Sequence, residues 1–326
     1  MVRSATLLSL LLLLATPTRA DLIGFFGDER VGTSGGQFLR IPAGARAVAM
    51  GGGMSASVEG TSAVFWNPAA LSTLPHRSRA FVSHMEYAAG IDIDHAAVAT
   101  AIGSWRVGLG FGVLRSGEIE RTTEFHPNGT GQTFQANQFL ATLAVGRRLT
   151  DRFAMAVAGK FLQENLDDFE NRGLLLDIGA LYHLGYKNAR IGFSVRNVGP
   201  DLQLNGDPPS DADTRQGWQR FPAPTVAVFG FAYDFDLPGD RLVTMSLDFD
   251  HPSDDIERLV FGGEVAMGHG MFLRGGYRNN MEVGSGLSAG FGLNVLRRTQ
   301  PLRFSYAFDD RGSFGGLHVF SLEVGR

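Results

Sequence analysis

The chain of 326 residues contains no cysteine, which excludes disulfide frameworks, thiolate metal sites and cysteine nucleophiles. Only three tryptophans are present. Beyond residue 20 no stretch of 18 apolar residues occurs, so no segment can cross a membrane as a helix. What the chain has in excess is glycine: 43 residues, nearly twice the ordinary share of about 7%, without the three-residue period of collagen. The hydrophobic fraction of 44% is too high for general disorder, so the chain folds with an unusual amount of glycine.

The first twenty residues read separately. Arg3 precedes the leucine-rich run Leu7 to Leu14, Pro17 ends it, and Thr18 and Ala20 place small residues before Asp21. This is the pattern of a cleavable signal peptide, with an apolar run too short to span a bilayer. Its removal takes Arg3 and Arg19 and no acid, leaving a chain more acidic than the net −4 of the whole. An acidic, exported protein is not expected to bind nucleic acid.

From about residue 79 the chain alternates. Val243, Met245, Leu247 and Phe249 are apolar, while Thr244, Ser246, Asp248 and Asp250 between them are polar, so one strand face is greasy and the other wet. Phe304, Tyr306 and Phe308 repeat the pattern, as do Leu287, Ala289, Phe291, Leu293 and Val295. Fourteen such runs are expected, over about 79–87, 94–103, 105–116, 138–149, 152–164, 172–184, 189–198, 224–235, 241–251, 257–268, 271–279, 286–296, 302–310 and 316–325. An even number of strands about ten residues long, joined by alternately short and mostly longer polar connections, predicts a transmembrane β-barrel. A soluble β-sandwich also alternates, but it has no reason to alternate loop length with strand parity. The fold expected is therefore all-β: a 14-stranded antiparallel barrel over 78–326, in the outer membrane of a Gram-negative type of cell, with outer-membrane lipid around its apolar face.

The polar face carries Lys160, Asp177, Arg196, Glu264, Arg274 and Arg303 in mid-strand, which makes them candidates for the lumen. Gly108, Gly110 and Gly112 share one strand face opposite Val107, Leu109, Phe111 and Val113. Such a face lets another segment approach the wall closely, so something is expected to fill the lumen. Residues 21–77 do not alternate. Ala43 to Met50 predicts a short helix stopped by Gly51 to Gly53, and Ser62 to Trp66 a second closed by Asn67-Pro68. The expectation is a short N-terminal helical plug.

Phe38-Leu39-Arg40-Ile41, Gly44-Ala45-Arg46-Ala47, Met50-Gly51-Gly52 and Asn67-Pro68-Ala69-Ala70-Leu71, in that order, resemble the N-terminal signature of the PorV/PorQ outer-membrane proteins, relatives of the FadL fatty-acid transporter barrels. On this resemblance Phe38, Arg46, Met50, Gly51, Asn67, Pro68 and Ala69 form the plug signature. The PorV/PorQ resemblance implies a type IX secretion accessory whose partners are exported cargo proteins and secretion-system components. The FadL relationship implies instead the uptake of a hydrophobic ligand through a plugged barrel.

Chemistry-bearing motifs are few. Gly286-Leu287-Ser288-Ala289-Gly290 matches G-x-S-x-G but lies on an alternating strand rather than a strand-to-helix elbow. Asp248, Asp250, Asp254 and Asp255 could supply oxygens to a hard cation but read first as a solvated acidic rim, as do Asp167, Asp168 and Glu170. Trp66 and Trp105 are candidate interfacial anchors. Trp218 and Phe221, in the longest outer loop, are candidate partner contacts. No catalysis, metal or cofactor is expected.

Overall fold

The computed structural model describes residues 31–74, 78–186, 188–205, 219–279, 284–296 and 302–325, with the side chains of His269 and Leu296 excepted. Its body is fourteen long antiparallel strands: β1 (Arg79–Glu86), β2 (Asp92–Ile102), β3 (Trp105–Arg115), β4 (Ala136–Arg148), β5 (Phe153–Leu166), β6 (Phe169–His183), β7 (Arg190–Val198), β8 (Val226–Leu237), β9 (Arg241–Pro252), β10 (Arg258–Met267), β11 (Met271–Arg278), β12 (Leu287–Leu296), β13 (Leu302–Asp310) and β14 (Gly316–Gly325). Each pairs with its neighbours in sequence, and β1 closes on β14 from Arg79 opposite Gly325 to Glu86 opposite His318. The number and positions of the strands match those expected from the alternation.

Alternation here is inside out. On β9 the outward Met245 and Leu247 are 47% and 39% exposed, whereas the inward Thr244, Ser246 and Asp248 are buried. On β3 Leu109 and Phe111 are exposed while Gly108, Gly110 and Gly112 face inward and are buried. An apolar outer band around a polar interior is the arrangement of a barrel solvated by lipid. Closure leaves none of the fourteen long strands as a sheet edge, the condition for strands to cross hydrocarbon.

One end of the barrel has tight connections. Gly103 there adopts a φ of 60°, a left-handed conformation that glycine supplies at no steric cost. Connections at the other end follow the expected pattern in part: 116–135, 199–225 and 279–286 are longer than any at the tight end, whereas 87–91, 167–168, 253–257 and 311–315 are not. Asp167 (φ 56°) lets β5 turn into β6 through Asp167 and Asp168 alone, so Glu170 lies in the strand rather than in a loop. The strip Leu202–Asn205 pairs with both β6 and Arg220–Phe221, extending the sheet at the outer rim.

Residues 31–74 lie inside. A 3-10 turn (Gln37–Arg40), α1 (Ala45–Ala49), α2 (Ala63–Trp66) and a 3-10 helix (Pro68–Thr73) follow one another. Gly51 and Gly52, both at positive φ, end α1, with the Gly52 amide donating to the Ala47 carbonyl at 2.8 Å. α1 packs on β11 to β14, and Pro68–Thr73 packs on β3 to β6, so the segment bridges the lumen. Its core of Met50, Met54, Val64 and Leu71 meets small wall residues, Ala99, Ala144, Ala156 and Ala158.

Candidate functional site

Helices of five and four residues leave most of their backbone groups without intrahelical partners. Wall side chains supply them. Ser321 Oγ accepts from the Ala45 amide at 2.7 Å, Asp248 from the Ser55 amide at 2.7 Å and Glu323 from the Thr61 amide at 2.9 Å, while Ser288 Oγ donates to the Ala49 carbonyl at 3.2 Å. Ser288, the centre of G-x-S-x-G, is thus a buried plug contact on β12.

Charge supplies the strongest connection. Arg46 of α1 donates through Nε and Nη2 to the two oxygens of Glu264 on β10, each at 3.0 Å, and through Nη1 to the Ser57 carbonyl at 2.8 Å. Arg274 on β11 donates to the same carboxylate at 2.6 Å and to Ser305 Oγ at 3.1 Å. Burial opposes the charge on Arg46, but Glu264, backed by Glu59 and Glu323, more than offsets it and raises this guanidinium above its ordinary pKa. A bidentate fork holds both distance and orientation, so plug and wall are fixed at this latch.

Toward the outer end Arg40 pairs with Asp254 at 3.2 Å and with Asp255, which also receives Arg258; Ser34 and Gln37 donate to Asp254 as well. Asp248 and Asp254 are each 1% exposed. This corrects the expectation of a solvated acidic rim, since these two carboxylates are buried as acceptors for plug groups. On the other side of the lumen Asn67 donates to the carbonyls of Ser55 (2.7 Å) and Ala180 (3.1 Å) and caps Pro68–Thr73 by accepting from the Ala69 amide at 3.1 Å. With proline at the first helical position, where a missing N–H costs nothing, Asn67-Pro68 is a fixed corner of the plug. Pro68 and Ala69 are buried there.

Small wall residues set how closely the plug approaches. A Cβ on Gly276 would stand 2.1 Å from the Gly51 nitrogen, and one on Gly192 would stand 2.1 Å from the Ser55 oxygen. On Gly108 and Gly110 it would strike Val64 at 2.6 and 2.8 Å, and on Gly112 it would meet Phe38. Phe38 is buried and stacks on His95; Met50 has no exposed surface. The glycine stripe on β3 is therefore the bed of the plug.

Lys160 pairs with Asp177 at 2.6 Å and donates to Asn197 at 2.8 Å; Asn197 in turn donates to the Pro224 carbonyl at 3.2 Å. Asn197 sits at a bulge of β7 with φ 61°, a conformation asparagine tolerates better than most residues. This buried trio ties the wall to the base of the loop 199–225. Arg196 lies 5.2 Å over the ring of Trp66, and Arg303 lies 4.4 Å over Phe272 and donates to Asn294 at 3.2 Å. Trp66 is consequently no interfacial anchor: its indole N–H donates to the Ala43 carbonyl at 3.0 Å within the plug. Trp105 does lie exposed on the outer face at the tight-turn end, under Arg147 at 5.1 Å. Phe221 is at the rim in the short Arg220–Phe221 strip; Trp218 lies outside the described residues, as does the leader segment.

Between plug and wall, beside Trp66, is a cavity of about 110 Å³ bounded by Phe38, Phe65, Trp66, Lys160 and Arg196. Above it the outer mouth is a wider concavity of about 400 Å³. The wall beside the plug is continuous, with β3 paired from Trp105 to Arg115 on both sides. Among the described residues no group of three or more acidic or histidine side chains is arranged to hold a metal ion.

Signals for Arg46, Met50 and Asn67 were present in the spacing of the N-terminal motifs. Asn197, Asp248 as a plug acceptor, and Glu323 carried no local signal, because each acts through a partner far away in sequence.

The family model described as type IX secretion system protein PorV matches residues 26–252. No curated protein matches the chain. Among solved structures it is similar to the CymD monoaromatic hydrocarbon channel, at 12% identity over 86% of this chain and 96% of that one, with a TM-score of 0.58. The toluene transporter TodX of Pseudomonas putida gives 13% identity, 86% and 96% coverage and 0.57, and a FadL homologue of Pseudomonas aeruginosa 12%, 87% and 98%, and 0.55. At these identities the likeness is one of fold.

Proposed function

This chain belongs to the PorV family of type IX secretion system proteins, and from that premise we propose that it acts in the outer membrane as a closed, plugged barrel that binds exported cargo proteins or the surface attachment complex. Binding would use the outer loops and strand rims, with no bond chemistry. The observation that carries this reading is the sealed lumen. The cavity of about 110 Å³ beside Trp66 is smaller than the ~150 Å³ that takes up benzene and well short of the ~300–1,000 Å³ of ordinary ligand pockets. The plug is latched at Glu264, and among the described residues every barrel strand is paired on both sides.

The test is to isolate the intact protein from outer membranes and identify what accompanies it. Exported proteins sharing a C-terminal sorting domain are the expected companions. Their absence from a host that secretes such proteins would count against the reading. We also infer export through removal of residues 1–20, for which N-terminal sequencing of the mature chain should begin at Asp21.

A second reading, uptake of a hydrophobic small molecule, draws on the likeness to a hydrocarbon channel and on the apolar side of the cavity formed by Phe38, Phe65 and Trp66. It requires the plug to move, and retention of a lipid or aromatic compound in the purified barrel would favour it.

A further inference from the structure

The end of the barrel with tight connections, which faces the periplasm in a barrel of this kind, is basic on the inside. Alternation turns inward Arg79 on β1, Arg106 on β3, Arg148 on β4, His183 on β6 and Arg190 on β7. They surround the place where the plug leaves the lumen, at Thr73 and Leu74, and line two hollows that share those two residues. One, of about 430 Å³, is bounded by Ser72, Thr73, Leu74, Ser104, Arg106 and Arg148. The other, of about 270 Å³, includes Glu59, Arg79, His183 and Arg190. Arg148 and Arg190 both lie within electrostatic reach of His183, so the charges form one arc. The whole chain carries a net −4, and composition therefore does not account for an arc of this sign.

Holding the plug accounts for part of it. Arg106 donates to the Leu74 carbonyl at 3.2 Å, and Arg190 donates to the Ala56 carbonyl at 3.2 Å and to both oxygens of Asp234 at 2.6 and 3.1 Å. Arg79 and Arg148 have no such task. Among the described residues neither guanidinium donates a hydrogen bond or has a carboxylate within ion-pair distance. Arg148 is exposed and Arg79 half-buried, and the exposed Ser104 offers a hydroxyl beside Arg148. The first hollow has no carboxylate in its lining, and the second has only Glu59.

A guanidinium presents a planar fork of donors matched to a carboxylate. Two hollows on either side of Leu74 take carboxylates at two places, which a chain laid across Leu74 supplies together. Lipid headgroups meet the opposite face of the wall, where Trp105 is exposed under Arg147. We propose that the periplasmic end of the barrel docks an acidic polypeptide segment of a periplasmic partner, with its carboxylates at Arg79 and Arg148. The site lies at the end opposite the outer loops and does not rest on the cargo-binding reading.

The experiment uses the full-length protein in lipid nanodiscs, which leave both ends open, and a fluorescent decapeptide of alternating glutamate and glycine, blocked at both termini. The same peptide with glutamine in place of glutamate is its pair. At low salt the glutamate peptide should bind saturably and the glutamine peptide at least about tenfold more weakly. Raising the salt to about 1 M should weaken glutamate binding at least about tenfold, because screening shortens the reach of exposed charges. Arg79→Gln and Arg148→Gln should each weaken it about two- to fivefold, the share of one exposed ion pair, and the double variant by about the product. Neither side chain holds the plug, so the heat-dependent gel mobility of the folded barrel should stay as in the wild type. Arg147→Gln, on the outward face of the same strand end, and Arg311→Gln, at the outer mouth, should leave binding unchanged. Equal binding of the two peptides, or undiminished binding by the double variant, overturns the proposal. An equal loss in Arg147→Gln overturns it in favour of the headgroup face. Binding of inorganic phosphate that is lost in Arg148→Gln, without binding of the peptide, overturns it in favour of a small free anion.

Discussion

Glu264→Gln removes one charge from a buried triad and should release the plug without unfolding the barrel. Arg274 has no exposed side-chain surface, Glu264 is 8% exposed and Arg46 12%. Glutamine keeps one acceptor oxygen but removes the counter-charge that two buried guanidinium groups share, leaving Arg46 only the more distant Glu59 and Glu323. Breaking a buried ion pair from one side costs about 3–5 kcal/mol. At about 1.4 kcal/mol per decade, the population with the plug undocked should rise by more than about a hundredfold. Barrel strands are unaffected, because the β10–β11 ladder at Glu264 and Arg274 is made by backbone groups. The assay is chymotryptic cleavage after Phe65 or Trp66, both shielded in the docked plug, since proteolysis follows the open population when opening is faster than cleavage. A companion variant, Arg46→Met with Glu264→Leu and Arg274→Met, replaces the whole triad by apolar groups. Such replacement is often neutral, so it should recover about half or more of the protection, short of all because Arg46 also holds the Ser57 carbonyl. A Glu264→Gln protein cleaved within about twofold of the wild-type rate would refute the latch.

Two glycines separate the inner wall from the outer. Gly276→Ala places a methyl group against the plug backbone, whereas nothing lies within 4 Å of a Cβ on the outward Gly159; the first should lower stability by about 1–3 kcal/mol and the second should leave the melting temperature in detergent unchanged. Asn67→Ala strips three hydrogen bonds from a buried corner and should cost about 1–3 kcal/mol, seen as faster hydrogen exchange at Ala69 and Ala70. Lys160→Met leaves Asp177 buried without its ammonium, so exchange at Asn197 and Thr225 should accelerate while the plug stays protected; an unchanged pattern would separate the trio from the loop it is argued to hold.

Much of the barrel was legible because lipid and lumen impose opposite chemistries on successive residues. Met245 and Ser246 could not exchange places without putting a hydroxyl in hydrocarbon, and the period of two follows from that. Legibility stopped where both faces of a strand meet water. Asn165, Asp167, Asp168 and Glu170 are polar on both sides, so composition suggested a loop where the backbone continues as strand to a two-residue turn. Trp66 misled for a related reason. Indoles favour a bilayer interface because it is apolar at one end and wet at the other, and the inside of this plug, with Arg196 above the ring and a carbonyl at its N–H, offers the same pair of surroundings.

The mixed charges of the lumen have a reason that the strand pattern alone does not supply. A polypeptide folded into helices of one turn cannot satisfy its own amides and carbonyls, and inside a barrel it has little water to do so. The wall must therefore supply acceptors and donors at irregular positions: Ser321 for Ala45, Asp248 for Ser55, Glu323 for Thr61 and Ser288 for Ala49. Read this way, Glu264, Arg274 and Asp248 are the complement of a fixed plug rather than the lining of a route, and they need not change when the ligand changes. Residues at the mouth differ in kind. Arg278 and Arg311 pair with Asp309 of β13, so at the mouth wall arginines meet a wall carboxylate, while Arg40 of the plug meets Asp254 and Asp255.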